Sequence, residues 1–154
     1  MAKKKSAGLL PFRVTAGIVE VMLVHPGGPF WKNKDEHAWS VAKGEFDDEE
    51  PLDAAIREFR EETGFRPRGE FLPLTPQITT PGKLVYVWGF AADYDVAMLR
   101  SNSFTVEWPP RSGNNREFPE VDRAAWFSIS DAKNKIHKGQ RAFLDELERI
   151  LARS

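Results

Sequence analysis

The sequence predicts a single mixed α/β domain over residues 1–154, with helices packed on a sheet. Three observations predict it. Residues 14–24 and 83–92 are rich in β-branched and aromatic side chains and read as strands. Two stretches, starting at Pro51 and at Gln140, carry apolar residues at helical spacing. Strand-like runs lie on both sides of the first helix, and the second helix closes the chain. A length of 154 residues, 41% hydrophobic and 29% charged, is enough for one real core.

In chain order, the basic start through residue 6 (Lys3, Lys4 and Lys5 within it) is expected to be a frayed, solvated terminus. The apolar run that follows, 7–12, contains Gly8 and Pro11 and is too short for a signal peptide or a membrane span. Residues 14–24 form a strand pair or one long strand. The sequence His25-Pro26-Gly27-Gly28-Pro29 breaks it, and a polar loop runs on to His37. Residues 38–41 make a short strand leading into Lys43 and Gly44.

Pro51 suits the first turn of a helix, with Glu50 before it as a weak cap. Leu52, Ala55, Ile56 and Phe59 form its buried stripe, and Gly64 stops it. Further strands are expected at 71–74 and 83–92, and an irregular insertion around Trp108 at 101–115. A short strand at 124–127 precedes a helical turn at 130–135 begun by a serine cap. The last helix, 140–152, buries Phe143, Leu144, Leu147, Ile150 and Leu151. His25, His37 and His137 lack ligand spacing and read as surface residues; Trp39, Trp88 and Trp126 read as core.

The formal net charge of −1 gives no global field toward nucleic acid or membrane, so stable binding to either is not expected. With no cysteine, disulfides and cysteine zinc sites are excluded, which suits a cytoplasmic protein. A homodimer is left open.

The chemistry is concentrated in residues 44–65. Glu58, Glu61 and Glu62 stand at i, i+3 and i+4, one face of a helix. Like charges so placed repel, and clustered carboxylates suit hard divalent cations. On this reading the glutamates form a metal site, and such sites act on phosphates.

Residues 44–65 resemble the signature box of the Nudix hydrolases: a glycine, five residues, a glutamate, seven residues, then Arg-Glu-apolar-x-Glu-Glu-x-Gly-apolar. Arg57, Glu58, Phe59, Glu61, Glu62, Gly64 and Phe65 match the second half, while the first half is one residue short. Counting back from Arg57 selects Glu49; counting forward from Gly44 selects Glu50. Glu49 keeps the helix start at Pro51 in register. The lead-in Trp39-Ser-Val-Ala-Lys-Gly44 resembles the branch that acts on nucleoside and diadenosine polyphosphates.

The resemblance implies an α/β/α sandwich around a mixed sheet. It implies hydrolysis of a nucleoside diphosphate linked to another group, with magnesium, or manganese in its place, as cofactor. A nucleoside triphosphate or diadenosine polyphosphate leads as substrate. A nucleotide sugar, an oxidised nucleotide and a capped RNA end stay open, as does a binding module without turnover. Glu58, Glu61, Glu62 and a backbone carbonyl of Lys43 or Gly44 would hold the metal, and Arg57 would grip Glu49. The general base would be Glu120, ahead of Glu107 and Glu117, or else a box glutamate such as Glu61. Lys83 and Tyr86, by analogy of position, and Trp108 and Arg111, as loop residues, are the substrate-binding candidates, with Trp31 a further stacking candidate.

Overall fold

In the computed structural model, which describes residues 4–153, the strand Lys4–Thr15 (β1) is the axis of the sheet. The strand Ile18–Pro26 (β2) folds back on it through a tight turn whose two residues, Ala16 and Gly17, both have positive φ. Residues 14–24 are therefore a strand pair, and the apolar run 7–12 is strand interior as well.

The other strands are Ala42–Phe46 (β3), Leu72–Pro73 (β4), Gln77–Thr80 (β5), Lys83–Ala91 (β6), Ser103–Glu107 (β7), Asn115–Pro119 (β8) and Val121–Ser128 (β9). The helices are Pro51–Thr63 (α1), Ile129–Lys135 (α2) and Arg141–Ala152 (α3).

The main sheet runs β4-β6-β1-β2-β9, with β3 also on β1 and β5 also on β6. Only the β1–β6 pairing is parallel, so the sheet is mixed. One edge of β1 is shared. Residues from Lys5 to Leu9 pair with β3, and residues from Phe12 to Thr15 pair with β2. Past Val21, β2 leaves β1 and stays with β9, while Val24 bridges to Ser40. This fork opens a cleft between β2 and β3.

Period-two side-chain alternation divides the core between the two faces of the sheet. Ala7, Leu9, Met22, Val24 and Phe90 pack with Phe59 under α1. Leu10, Val21, Leu23, Val85 and Val87 pack with Phe143, Leu144 and Leu147 of α3. The result is the expected α/β/α sandwich. Helix α1 starts at Pro51 and stops at Gly64, whose φ of 76° suits glycine. Glu50 takes the cap position without a side-chain bond. Ala54, Ala55, Phe59 and Thr63 are its buried residues, with Leu52 and Ile56 at the margin. Phe59 ties the helix to the sheet and is 0% exposed. Phe59→Ala should therefore destabilise the protein by about 3–5 kcal/mol, read as a lowered denaturant midpoint.

Several expectations need correction. Residues 4–6 are not frayed: Lys4, Lys5 and Ser6 pair with Lys83, Leu84 and Val85, and Lys5 lies over the Phe46 ring. The backbone ladder on both sides outweighs the polar side chains. Residues 1–3 lie outside the described residues.

The insertion at 101–115 is not irregular, because β7 and β8 form a two-stranded hairpin with Phe104 against Phe118. Its short Phe-Thr-Val alternation is a strand signal. Residues 38–41 make only isolated bridges, and the regular strand begins at Ala42. The chain also forms an edge strand, β5, beyond the expected elements, paired antiparallel with β6. Ser128, not Ser130, caps α2.

His25 is fully buried, its Nδ1 2.9 Å from Asp122 Oδ1 and its Nε2 2.6 Å from the Lys34 carbonyl oxygen. With both nitrogens partnered it can leave water. His37 and His137 are half-buried, as are Trp88 and Trp126, whereas Trp39 is in the core.

Candidate active site

The loop after β3 and the helix α1 assemble the site around Gly44 and Arg57. Gly44 lies under the Glu58 carboxylate. A Cβ there would fall 1.9 Å from Glu58 Oε2, so only glycine lets the carboxylate rest on the strand.

Arg57 is the hub of three carboxylates. Its Nε donates to Glu49 at 2.9 Å, and its Nη1 donates to Glu58 at 2.9 Å and to Glu61 at 3.0 Å. Nη2 also donates to Glu49, so that pair is two-pronged. Glu50 makes none of these bonds. The bond from Arg57 holds the Glu49 carboxyl below its usual range, and Glu49 in turn raises the Arg57 guanidinium.

Glu62 points the other way, into the cleft. Burial pushes its carboxyl up to about 8, with further upward pushes from Glu58 and Glu120, while Lys43 opposes them. Burial likewise raises Glu58, with Arg57 resisting, and lowers the Lys43 ammonium. Glu62 and Lys43 attract one another yet both move toward neutrality, because desolvation outweighs the attraction at this depth.

The fork in the sheet forms a cleft of about 380 Å³, whose lining includes Trp31, Lys43, Glu62, Lys83, Glu120 and Gln140. Glu120 is brought there by a chain of backbone bonds. The Asn102 N–H donates to the Glu61 carbonyl (2.9 Å), the Glu120 N–H to the Asn102 carbonyl (2.8 Å), and the Gly27 N–H to the Glu120 carbonyl (2.9 Å). Gly27 must lack a Cβ, which would sit 1.9 Å from the Pro119 carbonyl oxygen. The stem of the β7–β8 hairpin is thereby clamped to the end of α1.

The remaining sequence candidates scatter. Lys83 lines the cleft, but Tyr86 packs on the α1 side of the sheet, edge-on to Phe46. Three residues apart on a strand, the two face opposite ways. Trp108 sits edge-on to Phe30 at 5.4 Å, outside the cleft lining. Arg111 is exposed in the hairpin turn, and its backbone N–H donates to Glu107. Glu107 is thus spent on the turn, and Glu117 is exposed on β8.

Gln140, unforeseen, is buried at the cleft wall, accepting from the Val41 N–H at 2.9 Å and donating to Ser40 Oγ. His37, His137, Thr79 and Thr80 also line the cleft without any sequence signal. Among the described residues no three carboxylates or imidazoles are poised, as they stand, to hold an ion. Arg57 takes up one oxygen of Glu58 and both of Glu61.

Comparison with known proteins identifies the class. The sequence profile of the NUDIX domain matches residues 4–147, so the chain belongs to the Nudix family, a family of pyrophosphohydrolases that generally use divalent metal ions. The fold matches an Ap4A hydrolase binary complex from C. elegans, with a TM-score of 0.65 and 22% identity over 98% of this chain and 99% of that one. It also matches the NUDIX domain of Shewanella oneidensis NrtR complexed with ADP ribose, with a TM-score of 0.63 and 16% identity over 99% and 90%. A mutT/nudix family protein from Listeria innocua matches with a TM-score of 0.62 and 14% identity over 99% and 96%. No curated protein matches the chain by sequence. No helix among the described residues is long and apolar enough to cross a membrane.

Proposed function

We propose that the protein hydrolyses, with a divalent metal, the pyrophosphate bond of a nucleoside diphosphate linked to another group. A nucleoside triphosphate or diadenosine polyphosphate is the leading substrate. The observation that carries this is the cleft carboxylate Glu62, which burial first, and then the nearby charges of Glu58 and Glu120, push up to about 8. Half-buried oxygen donors on Glu58 and Glu62 that repel one another beside the Gly44 strand fit magnesium or manganese, which would relieve the repulsion.

Glu58, Glu61, Glu62 and a carbonyl of Lys43 or Gly44 would hold the ion. When bound, it neutralises phosphate charge and makes water nucleophilic. Arg57 keeps the glutamate face in register through its grip on Glu49, and must yield its bonds to Glu58 and Glu61 for those oxygens to turn to the ion. Glu120 accepts the proton of the attacking water. Lys83 meets phosphate, and Trp31, on the cleft wall, stacks on the base. Trp108, Arg111 and Tyr86 lie outside the cleft lining, so Trp31 and Lys83 are the better substrate contacts.

The test is a panel of nucleotides assayed for product with magnesium. The ion pairs of Arg57 with Glu58 and Glu61 favour a second reading, a nucleotide-binding module without turnover; binding with no product across the panel would establish it.

Two further outcomes are expected. Arg57→Lys keeps the charge but loses the fork, and should lower kcat/KM about 10–100-fold with the fold intact by circular dichroism. The second concerns pH. The Glu62 carboxyl rises from 4.5 to about 8 on folding, so the folded state holds the extra proton between those values. Metal-free stability should therefore fall as pH rises through that window. Thermal melts in a chelator from pH 5 to 8.5 measure this, and Glu62→Gln should flatten the slope.

A further inference from the structure

We propose that the outer face of α1 carries a second anion subsite, a groove of arginines that takes a polyphosphate chain. On the proposed hydrolase reading, on which this assignment of the ligand rests, that chain is the part of the substrate beyond the cleaved bond. The groove is about 590 Å³, lined by Asp53, Ile56, Arg57, Arg60, Glu61, Gly64 and Arg66. It continues, through Ile56, Arg60 and Arg66, into a second hollow of about 270 Å³ that adds Arg68.

The box residues Arg57, Glu61 and Gly64 thus line one concavity with Arg60 and Arg66. Positions 53, 57, 60 and 64 share a helical face, and Glu61 stands between that face and the cleft. The arginines of the groove are partnered differently. Arg57 is consumed by Glu49, Glu58 and Glu61. Arg60, Arg66 and Arg68 are exposed, and among the described residues none has a carboxylate within ion-pair distance.

Free guanidinium forks match phosphate oxygens two at a time. The backbone that carries Arg66 is pinned, since the Tyr94 hydroxyl donates to the Arg66 carbonyl at 2.8 Å and Tyr94 stacks on Phe65 at 4.5 Å. A phosphate run leaving Glu61 thus meets arginines at once. The groove accordingly favours a substrate with more than two phosphates over a nucleotide sugar.

The test measures the affinity of inorganic tripolyphosphate by calorimetry, in chelator and at low salt, for three proteins. Arg60→Ala/Arg66→Ala should weaken binding at least about tenfold relative to the unaltered protein. Arg149→Ala/Arg153→Ala, which removes the same charge from exposed positions on and just after α3, should change it less than about twofold. With metal present, the kcat/KM ratio of diadenosine tetraphosphate to ADP-ribose should fall at least about tenfold in Arg60→Ala/Arg66→Ala. Equal tripolyphosphate affinity in all three proteins, or an unchanged ratio, overturns the proposal. The binding arm needs no turnover, so failure to hydrolyse any nucleotide contradicts the proposed function, while an arginine-independent affinity contradicts the groove.

Discussion

Glu62→Gln is expected to lower metal-dependent hydrolysis at least about a hundredfold while leaving the fold as stable as before or more so. Outer-shell partners of metal ligands cost about 10–100-fold when lost, and Glu62 is proposed as a ligand itself. Its carboxyl is half-buried and pressed by Glu58 and Glu120, which holds it up to about 8. Glutamine keeps the shape and removes the charge, so the repulsion disappears with the function. The paired readouts are kcat/KM with magnesium and the melting temperature in chelator at pH 8. A loss of both would mean that Glu62 is a structural residue.

Gly44→Ala is expected to have an effect of similar size for a steric reason. The added Cβ would meet Glu58 Oε2 at 1.9 Å, Cδ at 2.1 Å and Oε1 at 2.6 Å. No rotation of the methyl avoids all three, so the Glu58 carboxylate must leave the strand and carry with it its bond from Arg57. Activity should fall at least about a hundredfold, as for loss of a ligand, and half-maximal activity should require more magnesium. Gly27→Ala is the matching change on the other wall. It pushes on the Pro119 carbonyl and so displaces Glu120. If Glu120 is the base, this change should lower kcat more than it raises KM, and Gly27→Ala/Glu120→Gln should be no worse than Glu120→Gln.

The parts legible in the sequence are those fixed by neighbours along the chain. Helix α1 is bounded by Pro51 and Gly64 because each residue carries its own backbone preference. Register from that start also selects Glu49 over Glu50 as the partner of Arg57. What escaped depends on contacts between distant segments. His25 looks like a loop residue until Asp122 meets it. Gln140 shows no sign of its bond to Val41. The hairpin at 103–119 leaves only the short Phe-Thr-Val signal in a polar stretch, because few apolar side chains, Phe104 on Phe118 among them, hold its two strands together. Glu120 lies in the cleft only because that hairpin stem is clamped by Asn102 and Gly27. Analogy of position puts Lys83 and Tyr86 together, and the odd spacing on β6 parts them.

The most direct test of the central claim is product formation from diadenosine tetraphosphate and nucleoside triphosphates, titrated with magnesium, for the unaltered protein and Glu62→Gln side by side. Product that appears only with metal, and falls at least about a hundredfold in Glu62→Gln, is the predicted result. Hydrolysis at equal rates in the two proteins, or hydrolysis that persists in chelator, would contradict a metal-dependent site built on the glutamate face of α1.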